Sequence, residues 1–574
     1  MEEQKENIEM PPIAKKKRKY WLIGLLSVIL INIAAYFFYG QIDWTRDQRY
    51  SITPATKQLL KNIDQPYDIT VFLTGEDLPA AFKRLEHSTS ALLSNFQSIS
   101  KNKVHYRFVD PMGSDTMALQ ILNEFRMSGL PITISAGKKG TQQKMVFPWA
   151  LVSTKDAKGE ANYFPVFLQE SNTPELSRTV LNKSEMLLEY NLANAIHQLS
   201  KIEKKRLAYL TGNEEQFDVS ISAALTTLFR FYNVDTYNLQ QNDWIPNTYD
   251  AVIINRPMKA FEELDKLKID QYLMSGKSLF LNIDAVTGSL DSFQGNTQFN
   301  SMVIDLGLND LFFNYGFRIN TNIIEDAVNS VGIPLTASGN NAQPVMYPWV
   351  YYPVLENASQ HPIVNNLSGI LARFVSSIDL NSNDPEIQKT PLLVSSAYSK
   401  LTAAPAPILL DAAIVEVNPA EYKLKNALAA VLLEGSFSSL YAERKPQEVR
   451  DYLEGNQNAF KKKAQNQAKI IVVADGQLMF NEFSEKNGPS DMGVYLYSDF
   501  KFDNKSFMLN SLEYLTDENH LLGARTKNFE AYLLDPKRLK DERSNWQLLN
   551  VVGPIILVLI FGFIYFLIRK KRFA

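Results

Sequence analysis

Two long uncharged runs bracket this sequence and constrain everything between them. Residues 546–568 (WQLLNVVGPIILVLIFGFIYFLI) are 23 residues without a charge, followed at once by Arg569, Lys570, Lys571 and Arg572. Residues 20–39 (YWLIGLLSVILINIAAYFFY) are 20 more, preceded by Lys15, Lys16, Lys17, Arg18 and Lys19. About 20 apolar residues suffice to cross the hydrocarbon core of a bilayer. Basic clusters tend to stay on the cytoplasmic side. Both termini are therefore expected in the cytoplasm, with residues 41–545 together on the far side. Trp21, Tyr39 and Trp546 fall at the interfaces where aromatic side chains anchor, and Arg569 and Lys570 hold the inner flank. A cleaved signal peptide is the competing reading of the first run. Its apolar core would be shorter and would precede a small-residue cleavage pattern, and neither is present. The outer flank of the second run also carries Lys537, Arg538, Lys540 and Arg543, so the orientation rests mainly on the first.

The intervening length is too great for one core and implies several domains. A net charge of −3 gives no basic surface for nucleic acid. The absence of cysteine excludes a disulfide framework, thiolate metal sites and a cysteine nucleophile.

Along the chain, 1–19 reads as a polar tail and 20–39 as the first membrane helix. Residues 41–180 read as an α/β module: strands at 67–73, 104–109, 130–134, 145–153 and 162–168, with helices at 80–100 and 116–127. That order resembles a thioredoxin-like fold. The redox cysteines of that fold are missing, so its chemistry does not transfer. Thr53 before Pro54 is placed to cap a helix. Residues 181–205 read as a connecting helix. From 206 to 286 short apolar strands alternate with helices, which indicates a doubly wound parallel sheet covered on both faces. Residues 287–419 lose the alternation and read as an irregular or β-rich insertion. Residues 420–527 return to the α/β domain, with 469–474 (KIIVVA) as a late strand of the same sheet. Residues 528–545 lead into the membrane helix 546–568, and 569–574 form a second cytoplasmic tail.

Patterns that carry chemistry are sparse. Gly276-Lys277-Ser278 lacks the earlier glycine of a phosphate loop, because position 271 is Gln271. It also precedes a strand, where a phosphate loop would open a helix. The five histidines have no metal-ligand spacing, and no nucleophile elbow occurs. No cofactor is expected. Acids do gather where strands end: Glu214 and Glu215 after the first sheet strand, Asp284 after the fourth, Asp475 after the last. Strand C-termini are where doubly wound folds hold ligands. These four residues form the candidate ligand crevice, with helix capping and solvation as the competing and preferred role. A second candidate surface is the aromatic run around Tyr347–Tyr352. A hydrolase using Glu215 and Asp284 is the least favoured reading.

Several strings then act together: RYSITPATKQLL (49–60), LAYLTGNEEQ (207–216), LNDLFFNYGFRI (308–319) with Asp326, LLEGSFSSLYAER (432–444), VVADGQLMFN (472–481), NKSFMLNSLEYLTDE (504–518), RTKNFEAYLLDP (525–536) and the terminal WQLLNVVGPIILVLI. In that order they resemble the GldG family, the gliding-motility-associated ABC transporter auxiliary proteins of Bacteroidetes. The resemblance implies a subunit without ATPase activity in the inner membrane, paired with a GldF-like permease and a cytoplasmic GldA-like ATPase. It also implies a large periplasmic domain of glutamine-amidotransferase-like α/β fold. The catalytic cysteine of that fold class has no counterpart here. A homo-oligomer or a 2:2 assembly with the permease is the expected stoichiometry. A membrane-anchored module binding glycan, lipid or peptide is the alternative.

Overall fold

The computed structural model describes residues 24–30 and 51–573, except 76–77, 114–115, 126, 136–140, 156–158, 170–177, 201–203, 294, 337–343, 382–384, 415–417, 419, 456–459, 485–487, 499 and 517–541. Two compact units divide the chain, Met1–Ser51 and Ile52–Ala574. Within the first, residues 24–30 are helical with exposed side chains. Trp21, Tyr39 and the rest of that apolar run lie outside the described residues.

The second unit begins with helix α1 (Pro54–Asn62). Thr53 Oγ1 accepts from the Thr56 N–H at 3.4 Å, and Pro54 occupies the first turn, where a missing N–H costs nothing. There follow β1 (Tyr67–Val71), α2 (Ala80–Ile99), β2 (Val104–Phe108), α3 (Thr116–Glu124), β3 (Leu130–Ser135), β4 (Thr141–Val146), β5 (Trp149–Lys155), β6 (Ala161–Phe167) and α4 (Arg178–Ser200). The sheet order is β2-β1-β5-β6, with β1 parallel to β2 and the other neighbours antiparallel.

Two expectations are corrected here. The strand expected over 145–153 is broken at Phe147-Pro148. Proline cannot donate to a ladder, so the chain leaves the separate β3–β4 hairpin and enters the main sheet as β5. Helix α4 is also more than a connector. Leu188, Leu192, Ala193 and Ile196 recur at helical spacing and are buried with Ile69, Phe82, Leu93 and Val152, closing the core of the first module.

The large sheet starts with β7 (Arg206–Thr211), α5 (Ser222–Phe231), β8 (Asn233–Asn238), β9 (Ala251–Asn255), α6 (Glu263–Met274) and β10 (Ser278–Asn282). It continues with β11 (Ser330–Thr336), β12 (Pro344–Asn357), β13 (Ile387–Val394), β14 (Leu428–Gly435) and β15 (Ala468–Val473), before helix α7 (Asn504–Thr516). In space the order is β11-β12-β13-β14-β15-β10-β9-β7-β8, and Ile370–Leu371 pairs with β12 as the tenth strand. From β15 to β8 the pairing is parallel. From β11 to β15 it is antiparallel.

Residues 287–419 supply β11, β12 and β13 to the same sheet. Their strands hide in sequence because prolines 334, 348, 353 and 391 and register shifts at Ser330/Gly332 and Pro391/Leu393 interrupt the alternation. The parallel strands carry apolar side chains on both faces. Leu210, Val252, Ile254 and Leu281 pack with α6 on one side, and Tyr209, Ile253, Phe280 and Ile471 pack with α5 and α7 on the other. The aromatic run around Tyr347–Tyr352 is core. Trp349, Tyr351 and Tyr352 are buried against Phe374, so they offer no aromatic platform to a ligand.

Helix α8 (Arg543–Phe573) carries Pro554 inside it. Its stretch Trp546–Lys571 is the one helix among the described residues long and apolar enough to cross a membrane, and none of those residues buries it.

Candidate functional site

The strand order reverses beside β7. The chain goes from β7 to β8 on one side and then crosses back to β9 on the other. In a doubly wound sheet the C-terminal ends of the two strands at such a reversal border the crevice where ligands bind. Here those ends run into residues 212–218 after β7 and residues 256–262 after β9. The turns after β10 and β15 close the crevice from further along the sheet.

Asp284, after β10, is buried, and both of its oxygens are used. Arg256 Nε donates to Oδ2 at 2.8 Å, and Gly476 N–H donates to Oδ1 at 2.6 Å. Asp475, after β15, is buried as well. Arg373 N–H donates to Oδ2 at 3.0 Å and Gln477 N–H to Oδ1 at 2.7 Å. Burial pushes the Asp475 carboxyl up to about 7, and the charge of Asp284 pushes in the same direction. Burial also raises Asp284, while Arg256 and the Gly476 N–H pull it back. Each acid's charge therefore opposes ionisation of the other.

Arg256 organises the site. Its backbone is left-handed (φ 49°), and its N–H continues the ladder to Asn282 O at 2.8 Å. Its guanidinium reaches Gln216 Oε1 at 3.1 Å and lies 5.1 Å over the Phe480 ring. Gly476 permits this closeness. A Cβ there would stand 2.7 Å from Arg256 Cγ and 2.9 Å from Asp284 Cγ. Arg373 plays a similar part beside Asp475, donating from Nη2 to Glu482 at 2.5 Å.

Glu214 and Glu215 part company. Glu214 has φ 57° and an exposed side chain. Glu215 turns inward, and its Oε2 accepts from Asn213 N–H at 2.7 Å. Burial raises the Glu215 carboxyl, backbone N–H groups oppose this, and the charge of Asp265 adds to the rise. Asp284 and Asp475 are thus brought together, Glu215 is buried against Asn213 next to the Gln216 that Arg256 reaches, and Glu214 is exposed. Trp546, Arg569 and Lys570 are exposed on α8.

Arg256, Arg373 and Gly476 escape a search for acids. The available signal was an arginine placed directly after the apolar strand AVIIN. Asp270 was missed for the opposite reason, because it lies within α6. It is buried and accepts from Tyr315 (3.1 Å), Leu440 N–H (3.0 Å), Ser439 (2.6 Å) and Gln271 (3.0 Å). Burial pushes it up to about 6 despite those four donors. It fastens α6 to residues 439–441. Among the described residues no group of three or more histidines and acids is arranged to hold a metal.

What the crevice can do follows from its saturation. Asp284 and Asp475 have their oxygens occupied by the protein's own donors, so the pair pins three turns together.

One comparison with known proteins points to a transport setting. No curated protein matches the sequence. Among solved structures, the mmIFT52 N-terminal domain is 11% identical over 54% of this chain and 97% of its own, with a TM-score of 0.30. The exo-beta-1,4-mannosidase Op5Man5 from Opitutaceae bacterium strain TAV5 is 8% identical over 75% of this chain and 51% of its own, with a TM-score of 0.20. Superpositions this loose carry no argument. The profile of a domain of unknown function matches residues 46–153. A second profile, described as an ABC-type uncharacterized transport system, matches residues 204–511, which spans the whole large sheet and more than half of the sequence. The chain therefore belongs to that family of ABC-transporter auxiliary proteins, and its membrane-length helix α8 places it in association with a membrane.

Proposed function

We propose that this protein is a non-catalytic subunit of an ABC transporter complex serving gliding motility and its linked secretion. Helices at 20–39 and 546–568 hold it in the inner membrane with both termini cytoplasmic. The region between them stands in the periplasm beside a GldF-like permease, and a GldA-like ATPase supplies the energy. The large domain acts as a scaffold or coupling piece, as a homo-oligomer or a 2:2 assembly. The observation that carries this reading is the family match over 204–511 in a chain that also bears a membrane-length helix. The saturated acid pair supports a structural role for the crevice. In the same reading the first module is thioredoxin-like, which its β2-β1-β5-β6 order supports, and the large domain is glutamine-amidotransferase-like. The test is an affinity pull-down of the full-length chain from solubilised native membranes, followed by mass spectrometry. A multi-span permease and an ATPase are expected. Recovery of neither in mild detergent sinks the proposal.

One observation favours a second reading, a membrane-anchored binding module. A cavity of about 240 Å³ lies between the first module and the large domain, lined by Phe164, Tyr190, Asn194, Phe231, Asn510 and Glu513 among others. Aromatic faces among amides suit a small glycan, a lipid headgroup or a peptide side chain. A thermal-shift screen of the full-length protein against those three classes decides it, and no shift in any class removes it.

A further inference from the structure

Building on the binding-module reading, and dependent on it, we propose that the cavity between the first module and the large domain is a site for one uncharged sugar ring. The ring would stack on Phe164 and Phe231 and hydrogen-bond to Asn191, Asn194 and Gln198. The cavity holds about 240 Å³, below the about 300 Å³ at which pockets for drug-sized ligands begin. That size suits a single ring rather than a chain.

Helix α4 supplies the polar wall. Leu187, Tyr190, Asn191, Asn194 and Gln198 recur at helical spacing and line the cavity, while Leu188, Leu192, Ala193 and Ile196 of the same helix enter the core. The three amides are half-buried, where a stripe turned to water would be exposed. Gln198 Nε2 donates to Asn194 Oδ1 at 3.2 Å, which leaves Asn194 Nδ2 as a donor and Gln198 Oε1 as an acceptor for a ligand. Asn191 Nδ2 donates to Phe167 O at 3.5 Å, so its Oδ1 is a further acceptor. A sugar hydroxyl both donates and accepts, and primary amides match it in both directions. The apolar wall comes from β6 and the end of α5. There Phe164 and Phe231 meet with 5.6 Å between ring centroids. Both rings are half-buried and line the cavity, so they offer an apolar surface to the C–H face of a sugar.

Charge and backbone decide among the ligand classes. Among the described residues that line the cavity there is no lysine, arginine or histidine, so a phosphate headgroup would find no counter-charge. Arg230 touches the wall but is already engaged. Its Nη2 donates to Pro165 O at 3.3 Å, and its guanidinium lies 5.1 Å over the Phe164 ring. A peptide would add to β6, which is the edge of the first sheet. That edge is closed to it. Pro165 has no N–H to give, Arg230 takes Pro165 O, and Asn191 takes Phe167 O. The ligand that remains has no charge, carries hydroxyls for the amides and presents C–H groups to the rings.

Sugars stabilise folded proteins by exclusion from their surface, so binding is to be read directly, by saturation-transfer NMR on the full-length protein in a detergent without a sugar headgroup. The probes are glucose, galactose, mannose and N-acetylglucosamine, the 6-phosphate of each, phosphocholine and trialanine. Saturable binding of at least one neutral sugar is expected, with binding of its 6-phosphate at least about tenfold weaker. Asn194→Ala and Gln198→Ala should each weaken the sugar about three- to tenfold. Glu214→Gln, exposed and outside the lining, should leave it unchanged. If a variant fails to fold, the unaltered protein decides, because equal binding of a sugar and its 6-phosphate overturns the uncharged class. Binding of phosphocholine or trialanine alone overturns the sugar site and leaves the binding-module reading standing. No binding by any probe removes both. Sugar binding that persists unchanged in both amide variants overturns the site.

Discussion

Four buried acids of the large domain stand in opposite condition, two by two. Asp284 and Asp475 are saturated, and every oxygen has a donor within 3.0 Å. Glu215 and Asp265 each keep one buried oxygen without a partner among the described residues. Three of these four residues looked alike in sequence, as acids placed just after apolar strands. The difference comes from what other turns deliver. The turn after β9 delivers Arg256, the turn after β15 delivers the Gly476 N–H, and Arg373 delivers its backbone N–H. Nothing comparable reaches the free oxygens of Glu215 and Asp265. The lesson is that a buried acid becomes a latch or keeps an unmet oxygen according to the donors its neighbours can spare.

The sharpest way to break this comparison is to take a donor from the saturated pair. Arg256→Met should cost about 3–5 kcal/mol, because Asp284 would keep its charge in a buried place without its partner. Denaturant unfolding of the full-length protein measures it, and a loss below about 1 kcal/mol would show that the pair is already hydrated. Gly476→Ala comes next, at about 1–3 kcal/mol, since its new Cβ would overlap Arg256 Cγ and Asp284 Cγ. The double variant should lose less than the sum, because each change alone already disturbs the same contact between Arg256 and Asp284. Strict additivity would mean that the two residues do not share the latch.

A smaller effect is expected from pH. An unfolded aspartate releases its proton near pH 4, whereas burial, aided by the charge of Asp284, holds that of Asp475 up to about 7. Between those values the folded state binds the proton that the unfolded state has lost. The group's contribution is therefore full below about pH 4 and is lost as pH rises through about 7. The unfolding temperature should fall between about pH 4 and pH 7 on this account, with a shallower slope in Asp475→Asn. An equal slope in that variant would assign the titration elsewhere. The smallest effect belongs to Glu214→Gln, expected within about 0.5 kcal/mol of the unaltered protein, because its exposed side chain lies outside both acid pairs.

The sequence was most legible where a local pattern coincides with a regular element. The alternation over 206–286 marked strands that do form the parallel half of the large sheet, and Thr53-Pro54 marked a real helix start. It was least legible over 287–419, where prolines and register shifts disguised three strands that pair into that same sheet. Helix α6 forms where the pattern expects a helix, but its burial was hidden. Its charged residues Asp265, Lys266, Lys268 and Asp270 are all buried, and no periodicity can tell a buried charge with a partner from an exposed one. The candidate site shows the same division. Strand-end acids could be picked out one by one, but not which of them would meet Arg256.

By itself the sequence determined the membrane-length apolar helix, the apolar strands and the lack of thiol chemistry, because each depends on residues close together along the chain. Tertiary structure alone decided that Asp284 and Asp475, 191 positions apart by subtraction of their numbers, share one latch. It alone decided that Trp349 is core rather than a platform, and that Glu215 and Asp265 are buried, each with one oxygen lacking a partner among the described residues. Those outcomes depend on which turns a ten-stranded sheet brings side by side, and burial then sets the cost of every donor supplied or withheld.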